Sequence, residues 1–83
     1  MPITLNHTIV PSHDKAGSAQ FFARIMGLDS PGSAGHFVQV RVNGDLAFDW
    51  DTRDTFEGHH YAFVVSDQAA YMTGQVLVVS GGL

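Results

Sequence analysis

The shortness of the chain, combined with the absence of cysteine, most limits what it can fold into. A chain of 83 residues makes one domain at most. Folding a chain of this size buries only roughly 60 to 65% of the surface that the unfolded form exposes, so the core is marginal. Without cysteine, no disulfide adds to that stability. Small domains of this kind gain stability from a metal or from a partner chain, so we expect an oligomer.

The charge balance argues against one class of partner. The formal net charge is −4, and only 4 side chains are lysine or arginine. No basic patch is available to neutralise phosphates, so we expect no nucleic-acid binding. The first residues, MPITLNHTIV, carry neither a positively charged start nor a cleavage site, and no apolar run approaches the roughly 20 residues that span a bilayer. We therefore expect a cytoplasmic protein with no membrane partner.

Alternation of residue types predicts the strands. Residues 3–10, ITLNHTIV, alternate and are rich in β-branched types, which is typical of a strand. Residues 29–36 are expected to form a loop with one short extended piece. Asn43-Gly44 is a strong signal for a two-residue hairpin turn, since both residues tolerate positive φ. The other predicted strands span residues 37–42, 46–51, 59–66 and 75–79.

One helix is predicted after the first strand. Ser12 or Asp14 can cap its start by accepting a hydrogen bond from a free backbone N–H. The helix is expected from Lys15 to Met26, and Gly27 fits the left-handed position that ends many helices. The apolar side, at helical spacing, consists of Ser18, Phe21, Phe22, Ile25 and Met26.

The strand at 46–51 has two different sides, because side chains alternate along a strand. One side carries Leu46, Phe48 and Trp50, and the other carries Ala47, Asp49 and Asp51. We expect the apolar side to pack against the helix, on Phe22, Ile25 and Met26. The carboxylates are then left on the opposite, more open face.

Three residues are candidate metal ligands by their positions in the predicted strands: His7, Asp49 and His60. Imidazole and carboxylate groups bind divalent first-row metals, and two histidines with one carboxylate often hold a metal that also binds substrate. The alternative is that each histidine is a hydrogen-bonded core or interface residue, with Asp49 paired to Arg41 across strands. His59 and His60 point to opposite faces, so at most one of them shares a site with Asp49.

Four segments resemble the vicinal-oxygen-chelate superfamily, which includes glyoxalase I, the bleomycin-resistance proteins and the extradiol dioxygenases. They are LNHTIVPSHD, SAQFFARIMGLD, LAFDWD and HHYAFVVSD, in that order. They match the family's first strand with its histidine, its helix, its strand with an acidic ligand, and the strand that opens its second module. The resemblance implies one glyoxalase-type βαβββ module at residues 1–67 in an α+β fold. Residues 68–83 add a strand, within the domain or at a subunit interface.

The resemblance also implies a site. His7 matches the first-strand metal ligand, Asp49 stands where the family often has glutamate, and His60 matches the ligand that opens the second module. The implied ion is Zn, Ni, Mn or Fe, with no nucleotide cofactor. The family completes its site with a second module that this chain stops short of. A homodimer or higher oligomer that binds a small oxygen-chelating molecule is therefore expected.

The last segment, AAYMTGQVLVVSGGL, is similar to the C-terminal strand of short-chain dehydrogenases, with Ser80 in place of the usual aspartate. The nucleotide-binding glycines and the Tyr-x-x-x-Lys pair of that family are absent. The resemblance therefore implies a structural strand and no dehydrogenase activity. The two resemblances together imply that the chain is a fusion of two fragments, either natural or engineered.

Three functions stay open at this point. The first is a metal-dependent lyase- or dioxygenase-like enzyme, in which the three ligands hold an ion that acts as a Lewis acid on a substrate oxygen. The second is a metal-free, small-molecule-binding protein of the resistance type, with a pocket between subunits lined by phenylalanines, Trp50 and Tyr61. The third is a folded remnant with no ligand.

Overall fold

The computed structural model describes residues 1–65 and 75–80. The elements in these residues are β1 (His7–Ser12), α1 (Lys15–Met26), β2 (Gly32–Ala34), β3 (Phe37–Arg41), β4 (Ala47–Thr52), β5 (His60–Val65) and β6 (Gln75–Ser80). The chain is thus a small α+β domain that contains the predicted βαβββ order and the short extended piece of the loop. Much of the predicted extension at 68–83 lies outside the described residues.

The first four strands form one mixed sheet in the order β1-β4-β3-β2. β1 runs parallel to β4, while β3 is antiparallel to both of its neighbours. β1 is an edge strand, which explains how Pro11 can lie within it, because one side of an edge strand needs no N–H for the ladder. β4 lies inside the sheet, so its residues have neighbours on both sides.

The helix begins and ends where the sequence predicts. Asp14 is the N-cap, and its Oδ1 accepts a hydrogen bond from the Gly17 N–H at 3.2 Å. Ser12, the other candidate, accepts instead from the Asp14 N–H through its hydroxyl oxygen. Gly27 ends the helix in the left-handed conformation, with φ of 68°. Both predicted boundaries are confirmed.

The buried side of α1 differs from the predicted one. Its buried residues are Ala19, Phe22 and Ala23, and Met26 packs against the same core. Ile25 is 54% exposed, so its predicted packing against β4 is wrong, and Phe21 of the predicted apolar side is 42% exposed. The side that packs against the sheet pairs small alanines with one large aromatic residue, and this lets the helix lie close to the strands.

The core forms around the aromatic side of β4, as predicted. The ring centroid of Phe22 lies 5.3 Å from that of Phe48 and 5.6 Å from that of Trp50. These three side chains are almost completely buried, together with Val10 and Val40 from the neighbouring strands. The face of the sheet with the helix therefore carries the described core.

The tightest turn of the sheet lies between β2 and β3. Ala34 pairs with Phe37, which leaves only Gly35 and His36 in the turn. Gly35 has φ of 63°, a conformation that glycine adopts without steric cost. Glycine at the first central position is typical of two-residue turns whose twist matches that of a hairpin.

The turn between β3 and β4 is wider than predicted. Neither Asn43 nor Gly44 has a positive φ, so the two-residue hairpin expected there is wrong. Instead, Asn43 Oδ1 accepts hydrogen bonds from the backbone N–H groups of Asp45 and Leu46, at 2.8 and 2.9 Å. The asparagine side chain stabilises the loop in place of a left-handed backbone.

The first strand begins later than predicted, at His7 rather than at residue 3. The Ala47 N–H donates to the Asn6 carbonyl at 3.0 Å, and Ala47 is the first residue of β4. The ladder with β4 starts at His7 and Ala47, so no described strand lies beside residues 3–5. A strand pattern alone does not form a strand where the partner is missing.

β5 and β6 pair antiparallel with each other, in register from His60 with Ser80 to Val65 with Gln75. The predicted last strand thus pairs within its own chain.

Within the described residues, no helix combines the length and the apolar character that crossing a membrane requires.

Candidate functional site

Asp49 occupies the centre of the sheet face that lies away from α1, which we call the open face. Phe48 and Trp50 pack against the helix, so alternation along β4 directs Asp49 to the other side. Its neighbours in register are Ile9 on β1 and Gln39 on β3. The face is the one predicted, but Asp49 is not open there, since it is only 7% exposed.

Gln39 holds the Asp49 carboxylate. Its Nε2 donates a hydrogen bond to Asp49 Oδ1 at 2.8 Å. The alternative pairing with Arg41 is wrong, because Arg41 lies opposite Ala47. Gln39 was missed from the sequence, where the only signal for it was the register of the β3–β4 hairpin.

Replacing Gln39 with methionine is expected to lower the free energy of unfolding by about 1–3 kcal/mol, because the buried carboxylate then loses its donor. In the double variant Gln39→Met, Asp49→Leu, most of that loss should be recovered, since neither partner then remains unpaired. Urea unfolding of the four proteins in this cycle measures both effects. Gln20→Met, at an exposed position of α1, is the matched control and should change little. Equal losses in Gln39→Met and Gln20→Met would contradict the role given to Gln39.

The other acidic residue near the centre of the open face is already neutralised. Asp51 Oδ2 accepts a hydrogen bond from Arg53 Nε at 3.0 Å, and His36 Nε2 lies 3.8 Å from Asp51 Oδ1. Within the part of the chain that the structure describes, no such cation lies within ion-pair distance of Asp49. Asp49 is therefore the carboxylate of this pair that forms no ion pair with the described residues and can bind a cation.

His7 lies on the strand next to Asp49 and on the same face. It pairs with Ala47, two residues before Asp49 on β4. Its Nδ1 lies 2.9 Å from Asn6 Oδ1. Because an amide oxygen only accepts, Nδ1 carries the hydrogen, and a neutral imidazole then keeps its lone pair at Nε2. The side chain is exposed, so Nε2 can bind a ligand.

His60 does not join the other two candidates within one chain. It lies on β5, whose side chains alternate between exposed and half-buried. Tyr61 and Phe63 pack on Phe48, at ring distances of 4.9 and 5.7 Å, so alternation directs His60 away from that core. Among residues 1–65 and 75–80, no three histidine, aspartate or glutamate side chains gather as a metal-binding group. Within one chain, the described residues do not provide a complete ligand set for a metal ion.

His59 lies on the opposite side of β5 from His60, as predicted. Its Nδ1 is 2.6 Å from the Tyr61 hydroxyl oxygen. The spacing of two residues along a strand places these side chains on one face. This pair was missed from the sequence, although the spacing alone could have indicated it.

The prediction that Trp50 lines a pocket together with Tyr61 is wrong. Trp50 is 0% exposed and packs in the core against Phe22. Its Nε1 is buried and has no hydrogen-bond partner among the described residues. A cleft of about 420 Å³ is lined in part by Met26, Leu28, Asn43 and Phe63. It contains none of the predicted site residues.

Comparison with known proteins supports the resemblance seen in the sequence. No family model matches the chain, and no curated protein does. The solved structure named Oxidase ChaP-H1 is 40% identical with a TM-score of 0.74, and the match covers 80% of this chain and 54% of that one. Oxidase ChaP-H2 is 43% identical with a TM-score of 0.73, over 80% of this chain and 53% of that one. Both likenesses are compatible with a vicinal-oxygen-chelate fold. The chain spans about half the length of these solved structures.

Proposed function

We propose that this chain is one half of an oxidase-related site of the vicinal-oxygen-chelate type, and that two copies combine to bind a small molecule with adjacent oxygen atoms. Asp49 carries the proposal. Its carboxylate is 7% exposed, held by Gln39, and lies away from the core. A buried carboxylate is costly for stability, and proteins depart from the rules of stability mainly at functional sites.

The extent of the match to the solved oxidases motivates a site made by two copies. Only 54% and 53% of the residues of the two solved oxidases have a counterpart here. On the open face, Ile9 next to Asp49 is 38% exposed. A second copy would supply the half that the longer proteins build from one chain, and closed two-fold assemblies are the commonest oligomers.

A divalent ion of the Zn, Ni, Mn or Fe type is the second part of the proposal. His7 and Asp49 share the open face on adjacent strands, which lie about 4.8 Å apart. The third ligand in this arrangement is His60 of the partner subunit. The contact of His7 Nδ1 with Asn6 Oδ1 leaves Nε2 as the ring nitrogen that a metal can bind. The metal-free alternative needs the same open face but not the histidines.

The test combines assembly with binding. Sedimentation equilibrium of the untagged protein should give a dimer, and titration calorimetry should detect binding of catechol, used as a probe with two adjacent oxygens, in the presence of Mn²⁺. Asp49→Asn, which keeps the size of the side chain, should abolish that binding. Asp54→Asn, the same change at an exposed loop position, should leave it intact.

Two results would contradict the proposal. One is a folded monomer at concentrations of about 100 µM, where functional dimers are formed. The other is catechol binding that is unchanged in Asp49→Asn. Binding that depends on Asp49 but needs no metal would favour the metal-free, resistance-type function.

A further inference from the structure

Residues 1–6 precede β1 and belong to no helix or strand, and we call them the arm. Two of its apolar side chains are strongly exposed, Ile3 at 94% and Leu5 at 66%. Exposed apolar residues are common one at a time, but a continuous row of them indicates a contact surface. The exposed row on the arm therefore indicates a surface that a partner covers.

The arm continues the pattern of β1. Residues two apart share a side of a strand, so an arm that extends β1 places Ile3 and Leu5 in one row with His7 and Ile9. Ile9 is also 38% exposed, although it lies within the strand. The arm carries no charged side chain, so nothing in its side chains selects a charged partner. One apolar side on an uncharged, extended segment is typical of a strand that packs on something.

The backbone of the arm also lacks a neighbour. The ladder between β1 and β4 starts at His7 with Ala47, and among the described strands none lies beside residues 3–5. The outer side of β1 is likewise an edge of the four-stranded sheet. An exposed strand edge with unpaired N–H and C=O groups readily pairs with another chain.

We propose that the arm of each chain pairs antiparallel with the arm and β1 edge of a second copy, about a two-fold axis. This inference rests on the two-copy assembly proposed above and specifies its interface. A two-fold arrangement lets the same segment act as both donor and acceptor, so one arm covers the other and both edges are satisfied at once. Ile3 and Leu5 are then buried against the partner in the row that also contains His7.

The arrangement predicts which positions meet across the axis. In an antiparallel pair related by a two-fold axis, one residue lies opposite its own copy, and residues to either side lie progressively farther from theirs. A disulfide forms only when the Cα atoms are about 4.4–6.8 Å apart. Because the chain has no cysteine, a single introduced cysteine reports on its own position.

The first test is a cysteine scan of the full chain, with one cysteine placed in turn at each position from 3 to 9. Mild oxidation should give a disulfide-linked dimer with a sharp maximum at one position or at two adjacent positions. Ala16→Cys, on the exposed side of α1, is the control and should form little cross-linked dimer under the same conditions. Equal, slow cross-linking at all positions would overturn the proposed pairing.

The second test changes the apolar row. Ile3→Asp and Leu5→Asp should each raise the dimer dissociation constant at least about tenfold, measured by sedimentation equilibrium, since each places a charge in a buried row. Thr4→Asp adds the same charge to the other side of the arm and should change the constant less than about threefold. Thermal unfolding followed by circular dichroism checks that the folded domain is unchanged.

The outcomes separate this inference from the one on which it rests. A dimer that persists in both Ile3→Asp and Leu5→Asp, with no preferred position in the scan, overturns the arm pairing and leaves the two-copy site standing. A wild-type chain that sediments as a folded monomer overturns both. A sharp cross-linking maximum together with weaker dimers in the two aspartate variants supports the arm pairing.

Discussion

Replacing Phe48 with alanine is expected to lower the free energy of unfolding by about 3–5 kcal/mol. Phe48 is 2% exposed, and its ring lies between the helix and β5, 5.3 Å from Phe22 and 4.9 Å from Tyr61. Removing the ring leaves a cavity that both elements line. Because small domains have only about 5–15 kcal/mol of stability in total, the variant should be largely unfolded near physiological temperature.

A matched control is available on the helix. Phe21→Ala makes the same chemical change at a side chain that is 42% exposed, so it should cost far less. Phe48→Leu, which keeps most of the volume, is expected to remain folded and to give a measurable intermediate value by urea unfolding. If Phe48→Ala and Phe21→Ala lose similar amounts of stability, the packing of β4 against α1 is not the source of the stability.

Replacing either His7 or His60 with alanine is expected to weaken Mn²⁺ binding at least about a hundredfold. This loss exceeds the one expected for a residue that only holds a metal ligand in place. The more informative experiment mixes two variants. A dimer of one His7→Ala chain with one His60→Ala chain keeps one site whole if the ligands come from different subunits. It should therefore bind about half as much metal as the wild-type dimer.

The control places both substitutions in the same chain of the dimer. A dimer of one wild-type chain with one chain that carries both substitutions, His7→Ala and His60→Ala, has no intact site if ligands come from different subunits. It keeps one intact site if each chain binds its own ion. Purifying the mixed dimers through two different non-histidine tags allows the stoichiometry to be measured directly. Metal bound by the control dimer but not by the first mixed dimer would contradict a site shared between subunits.

Local signals predicted α1 almost completely. Asp14 and Gly27 act through hydrogen bonds and backbone conformations within a few residues, so the sequence contains all the information needed to place the ends. The side of the helix that is buried depends on the sheet beneath it. Phe21 and Ile25 are as apolar as the residues that are buried, and only the orientation of the packed helix leaves them exposed.

The sequence predicted which segments form strands better than it predicted where the strands begin and end. Residues 3–5 have a good strand pattern, and what they lack is a neighbouring strand, which depends on where β4 begins and not on the segment itself. The turns show the same limit. Asn43-Gly44 is capable of a two-residue turn, yet its asparagine bonds to the backbone of a wider loop, and Gly35 makes the tight turn instead.

The candidate site was predictable in part for a similar reason. His7 and Asp49 share a face because both follow the two-residue alternation of their strands. The hydrogen bond from Gln39 needs the register of β3 against β4, which depends on a turn that was predicted wrongly. The position of His60 depends on how β5 and β6 lie against the first sheet, and no pattern within either strand specifies that.

The parallel pairing of β1 with β4 has a consequence for the order of events during synthesis. β1 is the first strand to be made, but its partner residues begin at Ala47, about forty positions later. The helix cap and the β2–β3 hairpin use only nearby residues, so they can form while β1 still has no sheet to join. β1 is therefore made before the other strands of its sheet but is among the last of them to find a neighbour, and its backbone stays accessible to other chains until β4 has been made.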